Sequence, residues 1–236
     1  MTEQKNVYET RIRFKFCKKD EFKYLSHLDI SRIMSRALRR AELEIKYSQG
    51  YNPKPKIGFS PPTPLGVESM AEYADVLLDG DIDASELKKK LNLELKPQML
   101  ISETKTITEK TENLMNATAI VQYGFELYMY SSGNKDMFKK FYAGLKEDLI
   151  TNSDFSRSIF DLKITPLKGT LDIILLKLLG YAKIFKEENN EIFKFNSFQE
   201  FFENWLNQYC LNIKDVKKEE IFIMSGGVLK TPMEII

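Results

Sequence analysis

One order of hydrophobic periodicities occurs twice in this chain, and few folds can accommodate it. "TRIRFKF", Thr10 to Phe16, alternates Ile12, Phe14 and Phe16 with Arg11, Arg13 and Lys15, the period of two of a strand with one buried face. Next, Ile30, Ile33, Met34, Ala37, Leu38 and Ala41 fall at helical spacing. Ser26 is the expected N-cap, with Asp29 three residues on. A weak strand around Ile57 to Phe59, a strand in "EYADVLL", a short helix in "DASELKKKLN" capped by Asp83 with Glu86 at its third position, and a closing strand in "QMLISETKTI" complete the first set.

The second set starts with the strand candidate "AIVQYGFELYMY", followed by a helix after Asn134 with Phe138, Phe141, Tyr142, Leu145 and Leu149 on one face. "IFDLKIT" alternates as a strand does, and "LDIILLKLL" is apolar enough for a central one. Ser197 with Glu200 reads as the capping box of a helix carrying Phe198, Phe201, Phe202, Trp205, Leu206 and Tyr209, an aromatic stripe most simply read as core. "EIFIMS" closes the sheet. The expected fold is α+β: two tandem ferredoxin-like (βαββαβ) halves with antiparallel sheets, one over residues 1–110 and one over 117–236, joined near Glu109 to Asn116.

No apolar run reaches the roughly 18 residues of a membrane helix, and "MTEQKNVYET" lacks a signal-peptide core, so the expectation is a cytoplasmic chain with no membrane role. Cys17 and Cys210 lie far apart and fit neither a metal spacing nor a disulfide framework, so both are read as reduced, packed thiols. No metal site or cofactor is expected, since zinc spacing, a phosphate loop, a dinucleotide fingerprint and an iron–sulfur cysteine set are all missing from the sequence. Charge is unevenly spread. Between Arg11 and Lys56 there are 13 basic and five acidic residues, and six of the seven arginines fall between Arg11 and Arg40. This asymmetry points to an anionic partner, nucleic acid being the commonest, against the plainer reading of a solvated basic face.

On the first helix Arg32, Arg36 and Arg40 recur every four residues, with Arg39 beside them and Asp29 a turn earlier. Such spacing lines up planar, forked guanidinium donors suited to phosphate or carboxylate; the rival reading pairs them with the chain's own acids. His27, the only histidine, is expected at the first helical position, where free N–H groups and the helix dipole disfavour its charged form. It reads either as a general base or as a structural hydrogen-bonding residue. The following stretch, Tyr47 to Ser69, holds five of the eight prolines and is expected to be mostly loop. Gly50, Asn52 and Gly58 permit unusual backbone angles there, while Pro53 and Pro55 stiffen the chain around Lys54 and Lys56. Tyr47 and Tyr51 flank these lysines, either placed to stack on bases or packed against the sheet.

The stretch "YLSHLDISRIMSRALRRAELEIKYSQGYNPKPKIGFSPPTPLGVESMAEY" resembles the signature of the radical-SAM-linked bacterial domain family of unknown function. The similarity runs over residues 11–78, through Ser26, His27, Leu28, Asp29, Arg32, Arg39, Arg40 and Ala41, then Tyr47, Ser48, Gly50, Tyr51, Asn52, Pro53, Pro55 and Lys56, and finally Gly66 and Ser69. It departs from the family pattern at Tyr51, Lys54 and Glu44, where phenylalanine, histidine and proline are usual. The resemblance implies a radical SAM protein as partner and implies no reaction.

The leading expectation is an RNA-binding accessory protein that acts with a separate radical SAM enzyme in RNA modification or processing. One alternative is a metal-independent ribonuclease, similar to the CRISPR RNA-processing endonucleases, in which His27 is the acid or base and Tyr24, Tyr51, Lys54 or Lys56 stabilises the charged phosphate. The other is an interaction module that docks on the radical SAM partner without nucleic acid.

Overall fold

In a computed structural model the chain has a mixed α+β fold, described for residues 9–108, 111–130, 140–141, 143–144, 147–148, 159–170, 173–183, 194–209 and 211–235. It divides into two compact units, Met1–Thr118 with Ile223–Ile236, and Ala119–Phe222. The C-terminal segment therefore belongs to the first unit, whereas the sequence reading carried the second half to residue 236. Its attachment is specific: Arg13 Nη1 donates to the Pro232 carbonyl at 3.0 Å, and Lys105 Nζ to that of Met233 at 2.9 Å. Among the described residues no helix is long and apolar enough to cross a membrane.

The first unit runs β1 (Glu9–Lys18), α1 (His27–Arg40), β2 (Ile57–Phe59), β3 (Glu68–Asp79), α2 (Ala84–Glu94) and β4 (Ile101–Ile107), the order read from the sequence. Its strands lie β4-β1-β3-β2, each antiparallel to its neighbour. Ile12, Phe14 and Phe16 of β1 share one face with Ala74, Val76 and Leu78 of β3, and α1 and α2 cover it with Ile30, Met34, Ala37, Leu38, Leu87 and Leu91. Burying each large aliphatic chain of this set contributes roughly 1.5–3 kcal/mol. The start of α1 is the expected one. Ser26 Oγ accepts from Asp29 N–H at 3.2 Å while Asp29 Oδ2 accepts from Ser26 N–H at 3.3 Å. The helix ends where Glu42 turns to φ 50°. Asp83 likewise caps α2, accepting from the N–H groups of Ser85 and Glu86.

A short helix α3 (Leu114–Ala117) closes that part of the chain, and β5 (Thr118–Tyr130) leads into the second unit. There β6 (Ile159–Thr170), β7 (Ile173–Lys183), α4 (Phe195–Asn207) and β8 (Leu211–Ser225) follow, with strands ordered β8-β5-β7-β6. β7 is antiparallel to both β5 and β6. Of the helix expected after Asn134, residues 140, 141, 143, 144, 147 and 148 are described and helical; Phe138, Tyr142, Leu145 and Leu149 lie outside the described residues, as does Cys210. α4 begins at Phe195 after an N-cap Lys194 that makes no side-chain cap bond, so Ser197 sits inside the helix and not at its cap. Phe198, Phe202, Trp205 and Leu206 are buried, which makes the aromatic stripe core. The last strand of the first unit, β9 (Val228–Lys230), pairs back on the end of β8.

Candidate nucleic-acid interface

The helix α1 sets its polar side chains on two different flanks. Nine residues, about two and a half turns, separate His27 from Arg36, so the two project on opposite sides. The contacts agree with this. His27 sits at the first helical position with its ring edge-on to Phe59 of β2, centroids 5.2 Å apart. Arg40, on the other flank, reaches the end of α2, where Nε donates to Glu94 Oε2 at 2.6 Å and Nη2 to the Glu94 carbonyl at 3.0 Å. It thus satisfies one of the carbonyls that a helix leaves free at its C-terminus. Arg32 pairs with Asp29 at 3.2 Å. Arg36 and Arg39 are exposed and have no ion-pair partner among the described residues.

Between Lys46 and Lys56 the Pro-Lys stretch forms an ordered hairpin and not an open loop. Lys56 N–H donates to the Lys46 carbonyl at 2.7 Å, Ser48 N–H to that of Lys54 at 2.8 Å, and Lys54 N–H to Ser48 Oγ at 3.0 Å. Tyr47 and Pro55 form a bridge between its two arms. The hairpin is tied to β3, where Lys46 N–H donates to the Leu77 carbonyl and Leu77 N–H to that of Lys56. Gly50 makes the bend with φ 128°, a region closed to most side chains. The two tyrosines part company. Tyr47 is half-buried against the core, whereas Tyr51 stands fully exposed at the tip beside Asn52 and Pro53.

From residue 54 to residue 59 exposure alternates: Lys54, Lys56 and Gly58 face solvent, while Pro55, Ile57 and Phe59 are half-buried. Phe59 lies opposite Ala74 on the helix side of the sheet, and Gly58 lies opposite Asp75 on the other side. His27 therefore approaches one face of this segment and the two lysines emerge on the other. Neither lysine is ion-paired among the described residues.

Several of the clustered cations are structural. Arg13, only 1% exposed, donates from Nε to Asp75 Oδ1 at 2.7 Å and from Nη2 to Oδ2 at 3.0 Å. Arg11 Nε donates to the same carboxylate at 3.1 Å, and its Nη1 donates to the Thr111 carbonyl. Lys18 is buried with Nζ donating to the Thr63 carbonyl at 3.3 Å. Lys15 pairs with Glu103 and Lys46 with Glu9. The last pair moves both titrations. The Lys46 hydrogen bond holds the Glu9 carboxyl below its ordinary value, with Lys56 adding to the pull, and Glu9 raises the Lys46 ammonium. No sequence signal marks Asp75, Glu94, Glu103 or Glu9 as partners, because each is brought in from another strand or helix. Of the cations expected to meet an anion, Lys54 and Lys56 of the hairpin, beside exposed Tyr51 and Asn52, and Arg36 and Arg39 of α1 make no ion pair among the described residues. No group of three or more potential metal ligands occurs among the described residues, and Cys17 is a free thiol whose Sγ lies 3.5 Å from the Gln98 carbonyl.

Fold and surface together define a mixed α+β protein that presents a preformed basic hairpin with an exposed aromatic tip. The chain belongs to a bacterial family whose model is described as "uncharacterized protein conserved in bacteria" (DUF2344), matched over residues 11–164. No curated protein matches it. Among solved structures it is similar to an unknown protein from Galdieria sulphuraria, at 12% identity and TM-score 0.27, with 89% of this chain and 99% of that chain covered. It is also similar to a putative glycine cleavage system transcriptional repressor, at 10% identity and TM-score 0.24, with 89% and 98% covered. At those scores neither likeness bears on the function of this chain.

Proposed function

We propose that this protein is a cytoplasmic RNA-binding accessory protein that acts with a separate radical SAM enzyme in RNA modification or processing. The observation that carries the RNA reading is the hairpin. Its backbone bonds hold Tyr51 in full solvent exposure next to Asn52 and two lysines without ion-pair partners. Exposed aromatic rings that stack on bases, beside ammonium groups that meet phosphates, are the two components of single-strand binding surfaces. The radical SAM partner rests on the resemblance of residues 11–78 to the radical-SAM-linked family. We read both units as ferredoxin-like and as products of one duplication, supported by their equal strand order, fourth-first-third-second.

Binding is favoured over cleavage because His27 and the lysines lie on opposite faces of the residue 54–59 segment, and the ring partner of His27 is Phe59, which offers no proton. Fluorescence anisotropy with labelled RNA at low salt tests the reading. The full chain should bind, and Tyr51→Ala should weaken binding by about 1–3 kcal/mol, the worth of one base stack. No RNA binding, or an unchanged affinity for Tyr51→Ala, removes the reading. Co-purification of a radical SAM enzyme from nuclease-treated bacterial lysate tests the partner separately, and its absence removes that part alone.

A further inference from the structure

We infer that the hairpin takes an unpaired RNA strand, laid along Lys54, Lys56 and Gly58 so that the strand passes closest to the protein at Gly58. This rests on the RNA-binding reading and names the form of RNA that the site accepts.

The starting point is a glycine that the fold does not require. Gly58 lies in β2 opposite Asp75, and its φ is outside the left-handed region. A Cβ built there meets no atom within 4 Å. Neither backbone angle nor packing asks for glycine at this point. A strand position of this kind is more stable with almost any side chain, β-branched ones above all. The missing side chain keeps the surface bare, and glycine in a strand often marks where another backbone or a ligand comes close.

Gly58 also falls in line with the two lysines. Exposed positions in an extended segment recur at roughly 6.6 Å, so Lys54, Lys56 and Gly58 make one row of two ammonium groups and a bare patch. Tyr51 and Asn52 precede that row at the hairpin tip. A single strand suits this arrangement because its phosphates follow one another in one line. Its bases are also free, one to stack on Tyr51 and another to offer hydrogen-bonding edges to Asn52. A duplex keeps its base faces stacked internally and gives Tyr51 nothing to stack on.

The test uses the full chain, a labelled single-stranded RNA of about 12 nucleotides, and the same RNA annealed to its complement. The single strand should bind at least about tenfold more tightly than the duplex. Gly58→Ala and Gly58→Val should melt at or above the wild-type temperature while losing affinity in that order, Val by at least about tenfold. Should Gly58→Val melt lower, Gly58→Ala decides by the same comparison, since its methyl enters open space. Equal affinity for duplex, or wild-type affinity in the Gly58 variants while Lys54→Ala with Lys56→Ala has lost binding, overturns the inference and leaves the RNA reading standing. Wild-type protein that binds neither RNA overturns both.

Discussion

Replacing Asp75 by asparagine leaves the guanidinium groups of Arg11 and Arg13 facing a neutral amide on the sheet of the first unit. The Asp75 side chain is 8% exposed, that of Arg13 1% and that of Arg11 22%, so water screens this pair poorly. Breaking a buried pair by removing one partner costs about 3–5 kcal/mol, because the remaining charge is left without compensation. For a chain of this size that is a fall in Tm of roughly 6–20 °C, carried by the first unit if the two melt separately. Arg13→Met with Asp75→Leu removes the Arg13–Asp75 pair in favour of apolar chains and should recover a large part of the loss, since well-packed apolar replacements of buried pairs are often neutral. Scanning calorimetry of the two variants is the assay. A destabilisation below about 1 kcal/mol would refute the reasoning that this carboxylate holds both arginines.

Other outcomes follow from the same geometry. Ser26→Ala should destabilise the first unit by about 1 kcal/mol through the lost cap on α1, read as a lower urea midpoint with an unchanged slope. The Asp29 carboxyl is held below its ordinary value by the Ser26 hydroxyl, Asp83 by its bonds from Ser85, and Glu234 by the Thr231 N–H. A pKa lowered on folding gives stability that is present above the unfolded value and is lost as pH falls through the folded one. The urea midpoint should therefore decline below about pH 4, and a midpoint that rises there contradicts the assignment. Phe202→Ala should cost about 3–5 kcal/mol in the second unit, since this ring is fully buried with its centroid 5.2 Å from Phe125 and 5.5 Å from Phe198. A small calorimetric change would show that the aromatic stripe does not form that core.

Local signals were legible wherever the cause of structure is local. Ser26 with Asp29 and Asp83 with Glu86 mark helix starts because capping joins residues three apart, and Ile12, Phe14 and Phe16 mark β1 because alternation needs only neighbours. The Ser197 signal failed because Phe195, which becomes buried, favours two earlier residues as helix. The hairpin between Lys46 and Lys56 carries no strand signal in the sequence, since its prolines interrupt the pattern and its order comes from bonds to β3. The arginine cluster was legible as a cluster only. Whether a guanidinium serves an outside anion depends on which distant carboxylate the fold delivers. Here it delivers Asp75 to Arg11 and Arg13 and Glu94 to Arg40, leaving Arg36 and Arg39 without a partner among the described residues.

The opposed flanks of α1 change what the helix means for function. His27 and Arg36 share one helix, yet half a turn of residual rotation sets them apart, and Phe59 occupies the histidine's side. Purified full chain incubated with RNA in chelator should show no cleavage that His27→Ala abolishes. The residues that stay together are Tyr51, Asn52, Lys54 and Lys56, because a short hairpin joins them.

The dependence of RNA affinity on salt tests that hairpin most directly. Each phosphate met by a lysine on a single strand contributes about 0.7 to the slope of log K against log salt. Wild-type protein should bind with a clear negative slope, and Lys54→Ala with Lys56→Ala should flatten it by about 1.4 without lowering Tm. A slope identical in both proteins, or affinity indifferent to salt, contradicts the account.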